Sequence, residues 1–294
     1  MSGVDDLRKE LPHILVLFAL LLLLLVVLTR FKWVHASQVP GNWHDIYCGD
    51  ICLGNSCFSL SGGKSRVALV YDDDAMGDWR TLERRITRER MFTLVYPVKA
   101  SVISVDLLRD YELVILHNKH ITRNQAKAVQ EYLDTGGTVL WIADAASDYY
   151  LTGEELKQAE FENQSKPGWY DYVVEQTSSL KGFGLLADDL GAQYLGSENA
   201  SLFEVKTVNK RHLIMASFPE GLRGFPKLPF VRVSPNPART SILATITRGD
   251  EEFPAVLETK LGRVTMIYVA FPIENAGSGS KTLLQNVMDY LVVC

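Results

Sequence analysis

ELVILHNKHITRNQAKAVQEYLDTGGTVLWIAD, residues 112–144, decides how the rest of the chain is read. Residues 113–116 are wholly apolar, Thr122 can cap a following helix, Gly136-Gly137 can end it, and residues 138–143 return to strand formers. A strand, a helix and a second strand in about thirty residues is the size of one right-handed crossover unit. The helix shows its inner face in Ile121, Ala126, Val129, Tyr132 and Leu133, with Arg123, Lys127 and Glu131 between them. Paired glycines supply the left-handed residue that ends a helix. Strands this apolar need cover on both faces, so the unit predicts a parallel sheet with helices above and below.

The flanks continue the rhythm. Upstream, RVALVY at 66–71 is a strand running into Asp72-Asp73-Asp74, and Asp78 can cap a helix over 79–91. A strand at 93–98, a short helical approach at 105–111 and the strand at 112–116 follow. Strand alternating with helix predicts a doubly wound α/β fold with a mainly parallel, flavodoxin-like sheet. Downstream, residues 148–171 form a polar excursion with a helical piece at 152–162, and 180–190 reads as a helix ending at Gly191. Strands then dominate, at 202–208, 212–216, 230–233, 242–247, 255–259 and 263–269, as a β-rich extension with Gly262 turning the last pair. A closing helix at 281–292 carries the apolar stripe Leu283, Leu284, Val287, Met288 and Leu291.

One segment stands apart. From Leu11 to Thr29 the sequence LPHILVLFALLLLLLVVLT has no charged residue, and it inflates the 47% hydrophobic content of this 294-residue chain. At about 1.5 Å per residue it matches the hydrocarbon thickness of a bilayer. A buried core helix would show a polar stripe, which residues 20–25 lack. A cleaved signal peptide competes through Val34-His35-Ala36, but Arg30 and Lys32 separate that site from the apolar run. The expected organisation is a tail at 1–10, a transmembrane helix at 11–31, a stalk at 32–64 and an α/β domain at 65–294.

Charges flanking the span nearly balance, so they do not orient it. Two other features favour an extracytoplasmic domain. Asn163 and Asn199 open N-glycosylation sequons, and Cys48, Cys52, Cys57 and Cys294 form an even set. Their spacing does not suit zinc, so disulfides are expected, with three pairings open. Trp43, His44 and Tyr47 in the stalk read as aromatics packed on the domain's flank. Nucleic acid is not an expected partner. Without its first 32 residues, which hold four basic and three acidic groups, the chain has 26 basic against 32 acidic residues. Arg80, Arg84, Arg85, Arg88 and Arg90 share a helix with Glu83 and Glu89 and read as a solvated, salt-bridged face. The loop GLRGFPKLPF at 221–230 offers Leu222, Phe225, Leu228 and Phe230 either as a docking edge for another subunit or as cover folded over the sheet.

The order strand, helix, strand, strand, helix, Gly-Gly, strand resembles a class I glutamine amidotransferase-like domain, as do GFGLLADDLGAQYLG and FPAVLETKLGRVTMIYVAFPIENA before a final helix. The resemblance covers about residues 66–293. It leans to non-amidotransferase branches: ThuA-like proteins, the trimerisation domain of some beta-galactosidases, gliding-motility transport components and a non-catalytic oligosaccharyltransferase subunit. The family's nucleophile is a cysteine on a sharp turn after the Gly-Gly strand. Here that place reads Trp141-Ile142-Ala143-Asp144-Ala145-Ala146. Its base is a histidine before Pro and Glu, where this chain has Phe271-Pro272-Ile273-Glu274. With both groups missing, the resemblance implies a domain without amidotransferase chemistry.

Ligands of open parallel sheets bind beyond the carboxyl ends of the strands. That ledge would gather Asp72, Asp73, Asp74, His117, Asn118 and Asp144, a set able to hold a sugar or a divalent cation, although aspartates at strand ends also serve turns and caps. No cofactor is otherwise expected. The sequence thus points to a membrane-anchored accessory or scaffold subunit of a membrane complex handling glycans or transport, with a ThuA-like enzyme or sugar- or metal-binding module as the rival.

Overall fold

The computed structural model describes residues 3–30, 50–53, 56–59, 65–89, 93–150, 179–215, 222–262 and 264–292. The readings of Trp43, His44, Tyr47, Cys48, Asn163, Cys294 and the helical piece at 152–162 fall outside them. Two compact units emerge: Met1–Ser65 with Val293–Cys294, and Arg66–Val292.

The first unit carries helix α1 (Gly3–Arg30) and strands β1 (Asp50–Leu53) and β2 (Ser56–Ser59). On α1, Ile14, Leu15, Leu17, Phe18, Leu20 and Leu23 are all more than half exposed. Among the described residues no helix is long and apolar enough to cross a membrane. β1 and β2 pair antiparallel on either side of Gly54-Asn55. The sequence reading found no periodicity there, although Gly-Asn between two short runs is a hairpin signature.

The second unit begins with β3 (Ser65–Tyr71), α2 (Trp79–Glu89), β4 (Thr93–Lys99), α3 (Val105–Leu108), β5 (Leu113–His117), β6 (His120–Thr122), α4 (Arg123–Asp134) and β7 (Thr138–Ile142). It continues with β8 (Asp148–Tyr150), β9 (Ser179–Lys181), α5 (Ala187–Leu190), β10 (Ala192–Thr207), β11 (Leu222–Pro235), β12 (Thr240–Arg248), β13 (Glu251–Leu261), β14 (Val264–Val269) and α6 (Gly277–Leu291). Nine strands make one sheet in the order β11-β10-β12-β13-β14-β7-β5-β3-β4. β6, β8 and β9 form a small second sheet.

The parallel centre is where the sequence placed it. β14, β7, β5 and β3 run parallel, and every residue of β5 and β7 is buried. Each fully buried Leu, Ile or Val there contributes about 1.5–3 kcal/mol, the main driving term for this half of the sheet. α4 starts with a capping box: Thr122 Oγ1 accepts from the Gln125 amide (3.4 Å), and Gln125 Oε1 accepts from the Thr122 amide (2.8 Å). It stops at Gly136, φ +94°, and a Cβ on Gly137 would lie 2.3 Å from the Tyr132 ring. Asp78 caps α2, its Oδ1 accepting from the Arg80 amide at 3.1 Å.

The other half departs from the reading. β13, β12, β10 and β11 continue the same sheet, antiparallel throughout. The apolar loop at 221–230 is instead the first part of β11, with Leu228 and Phe230 in the core. That removes both from any docking surface; the Leu222 and Phe225 side chains lie outside the described residues. The helix expected at 180–190 is β9, a 3-10 turn and the single turn α5, because Gly182 and Gly184 take φ of +130° and +55°. Residues 212–215 are turn, not strand. The arginine face of α2 is bonded in part locally and in part to α6: Arg80 lies 3.9 Å from Asp73, Arg84 Nη2 donates to Thr81 Oγ1 (3.1 Å), and Arg85 Nη1 donates to Ser280 Oγ on α6 (3.2 Å).

Candidate functional site

The carboxyl ends of the parallel strands form a ledge, and a turn with two left-handed alanines sits on it. β7 leads straight into Ala143, a non-glycine residue with φ +52°, and Ala146 follows with φ +54°. Left-handed backbone costs an L-residue about 1–2 kcal/mol, so neighbours must hold the turn. They do so through the Ala143 amide on Val269 O (2.7 Å), the Ala146 amide on Asn118 O (2.6 Å), Tyr268 OH on Ala143 O (3.0 Å) and Trp141 Nε1 on Ala145 O (2.6 Å). This is the turn that would expose a nucleophile, and Ala143 brings only a buried methyl. Phe271, at the place of the expected base, is likewise buried and has no proton to exchange.

Three buried polar residues from three strand ends gather beside the turn. His117 closes β5, Asp144 follows Ala143, and Glu274 lies in the 3-10 turn after β14. Glu274 Oε1 accepts from the Asp78 amide (2.8 Å) and lies 3.3 Å from His117 Nε2. Asp144 Oδ1 accepts from the Met76 amide (2.7 Å). The β3–α2 loop, residues 72–78, is thereby held over the cluster by two carboxylates. Gly77, at φ +114°, is its point of closest approach: a Cβ there would stand 2.0 Å from Glu274 Oε1 and 3.0 Å from His117 Nε2.

Burial works to lower the pKa of His117, but the Glu274 hydrogen bond and the charges of Glu274 and Asp144 outweigh it and leave His117 raised. Burial pushes Asp144 up, offset only in part by the Met76 amide and the charge of Lys119. His117 Nδ1, Glu274 Oε2 and Asn118 Oδ1 are buried without a hydrogen-bond partner among the described residues. Such atoms are rare in native interiors because each forfeits its hydration.

Of the six ledge residues read from the sequence, His117 and Asp144 belong to the buried cluster, while the buried Asn118 donates through Nδ2 to His120 O (2.9 Å). The aspartate triplet does local work. Asp72 accepts from the amides of Asp74 (3.1 Å) and His120 (2.9 Å), Asp73 Oδ1 accepts from Trp79 Nε1 (3.3 Å), and the exposed Asp74 pairs with His120 at 3.3 Å. Among the described residues no group of three or more His, Cys, Asp or Glu could hold a metal ion. Sequence reasoning missed Glu274 within Phe271-Pro272-Ile273-Glu274, because nothing local in that run ties its carboxylate to His117. A flanking node was missed too, in which buried Asp148 pairs with Lys181, Lys119 (3.9 Å) and His120 (3.6 Å). Elsewhere, Asn199 is exposed on β10 opposite Pro229, and Cys52 and Cys57 face each other across the β1–β2 hairpin.

No family model matches this sequence, and no curated protein does. Solved structures do match. A ThuA-like protein from Bacteroides uniformis aligns with TM-score 0.52 and 14% identity over 78% of this chain and 92% of its own. A beta-galactosidase from Bacillus circulans sp. alkalophilus aligns with TM-score 0.52 and 13% identity over 78% of this chain but only 31% of its own. A cytoplasmic protein from Salmonella typhimurium LT2 gives TM-score 0.50 at 13% identity, covering 77% and 98%. At such identity the likeness is one of fold alone.

Proposed function

We propose that the chain is a membrane-anchored, amidotransferase-like domain that works by binding, as an accessory or scaffold subunit of a membrane complex. The observation that carries this reading is Ala143: the strained turn is built and held, yet its side chain cannot attack a substrate. The exposed apolar side chains of α1 support the anchor, since a stripe of this kind in water demands cover by lipid or protein. The even cysteine set and the exposed Asn199 sequon support an extracytoplasmic domain, and glycans or transport cargo as the business of the complex rest on analogy of fold. The test is gentle detergent extraction of the full chain from membranes, followed by native mass spectrometry. A stoichiometric membrane partner is expected; recovery in the soluble fraction, or as a bare monomer, refutes the reading.

One observation favours a second reading, a sugar-binding or ThuA-like enzymatic module. His117 Nδ1 and Glu274 Oε2 are buried hydrogen-bonding atoms without a partner among the described residues, beneath a loop that the Asp144 and Glu274 carboxylates hold, an arrangement suited to the hydroxyls of a small polar ligand. Thermal shift of the full chain against a panel of mono- and disaccharides separates the two. Saturable stabilisation that disappears in Glu274→Gln supports the module; no shift at millimolar sugar leaves scaffolding.

A further inference from the structure

We propose that Cys52 and Cys57 are joined by a disulfide that staples the β1–β2 hairpin. The pairing follows from backbone register. Asp50 lies opposite Ser59, Ile51 opposite Phe58, Cys52 opposite Cys57 and Leu53 opposite Ser56. Only Gly54 and Asn55 separate the strands, and a two-residue connection closes on a hydrogen-bonded pair, here Leu53 and Ser56. Antiparallel pairs alternate, so Cys52 and Cys57 occupy the next, non-hydrogen-bonded position. There the Cα atoms of opposite residues stand about 4.5 Å apart, inside the range of about 4.4–6.8 Å that a disulfide spans. Register also puts both cysteines on the same face of the hairpin.

The need for a staple is independent of that geometry. β1 and β2, of four residues each, form a two-stranded sheet joined to no other strand among the described residues. A lone hairpin of this length is marginal in water at best. The assignment also reduces the three possible full pairings to one, because Cys48 and Cys294 are then left for each other. The chain's last residue would then be tied to the segment that follows α1.

The bond forms by exchange with a disulfide oxidant, either an oxidoreductase or an oxidised low-molecular-weight thiol. The Cys52 thiolate attacks one sulfur of that disulfide and expels the other as a thiolate, giving a mixed disulfide. The Cys57 thiolate then attacks the Cys52 sulfur and expels the second oxidant thiolate. Two electrons pass to the oxidant, which leaves as two thiols carrying the two protons lost by the cysteines. The staple therefore rests on the extracytoplasmic reading for its oxidant, but not for its pairing.

The test alkylates free thiols in intact cells with a membrane-permeant maleimide, then digests the purified full-length protein without reduction. Trypsin leaves Cys48, Cys52 and Cys57 on one peptide, so cleavage before Asp50 and after Leu53 is needed to part them. Expected are two fragments, one containing Cys52 and one Cys57, that separate only on reduction. The same link should survive in the double variant Cys48→Ser, Cys294→Ser, which cannot reroute it. Cys52 bonded to Cys48 or Cys294 overturns the pairing and leaves the compartment reading intact. Maleimide on all four cysteines overturns both.

Discussion

The Arg66–Val292 unit buries two histidine–glutamate pairs, and they are built in opposite ways. Away from the ledge, Glu258 on β13 gathers three donors on one oxygen: Tyr290 OH at 2.5 Å, Lys260 Nζ at 3.3 Å and His212 Nε2 at 3.4 Å. His212 Nδ1 accepts from the Ile214 amide (3.3 Å), so both of its ring nitrogens are engaged. On the ledge, Glu274 also uses one oxygen for two contacts, but its second oxygen and the far nitrogen of His117 meet no partner among the described residues. A saturated pair fastens secondary structure, here the turn at 209–215 and α6 against β13. An unsaturated pair under a glycine-roofed loop holds hydrogen-bonding capacity in reserve, which is what a site requires and a latch does not.

Two mutations on the ledge, at Glu274 and Gly77, should cost most. Glu274→Ala strands His117 and releases the Asp78 amide at once, and removing one partner of a buried pair costs about 3 kcal/mol or more, a fall in Tm of about 6–12 °C for a unit of this size. The sign of its pH dependence is fixed by His117. A raised folded pKa gives stability that is complete below the unfolded value near 6.5 and is lost as pH rises through the folded value. The penalty of Glu274→Ala, read by thermal melts across pH, should therefore shrink at alkaline pH. Gly77→Ala comes next, at about 2 kcal/mol, since its Cβ meets Glu274 Oε1 and its φ is left-handed. Urea melts of this variant should show a lower midpoint with unchanged slope.

The latch should respond to acid instead. Burial alone would raise Glu258, but hydrogen bonds from His212 and Tyr290, with the positive charge around it, hold it at about 2. A depressed carboxylate stabilises fully above its unfolded pKa, near 4.5, and loses that contribution as pH falls through the folded value. Glu258→Gln should cost about 1–2 kcal/mol at neutral pH and flatten the decline between about pH 4.5 and 2 in circular-dichroism melts. Asp144→Asn should do least, within about 0.5 kcal/mol at neutral pH. Its amide oxygen can still accept from Met76, and the variant no longer buries a charge whose raised pKa favours the protonated fold.

The two halves of the sheet were unequally legible, and so were the two pairs. Strand β7, helix α4 and its Thr122 cap showed in residues 112–144 because apolar runs, cap and paired glycines are local signals. The second half of β11 was read as a strand at 230–233, but its first half was hidden by Pro226 and Pro229, which read as loop but are tolerated on a strand that forms the edge of its sheet. His117 and Asp144 were readable because each stands directly after an apolar strand. Glu274 lies 157 residues from His117, and only the crossing of β5 and β14 to the same end of the sheet brings them together. The aspartate triplet was open in the sequence to two readings, a ligand set or turn and cap residues, and its contacts are local: Asp72 accepts from the Asp74 amide, Asp73 from Trp79 Nε1, and Asp74 pairs with His120.

The contrast between the pairs, and with it the claim that the ledge keeps unspent binding capacity beside a turn that has no nucleophile, is open to one direct measurement. A crystal structure of the protein at high resolution should show ordered solvent or solute within hydrogen-bond reach of His117 Nδ1 and Glu274 Oε2, with Ala143 in the left-handed conformation and protein donors alone around Glu258. Protein groups satisfying both ledge atoms, or Ala143 in an ordinary extended conformation, would contradict the account.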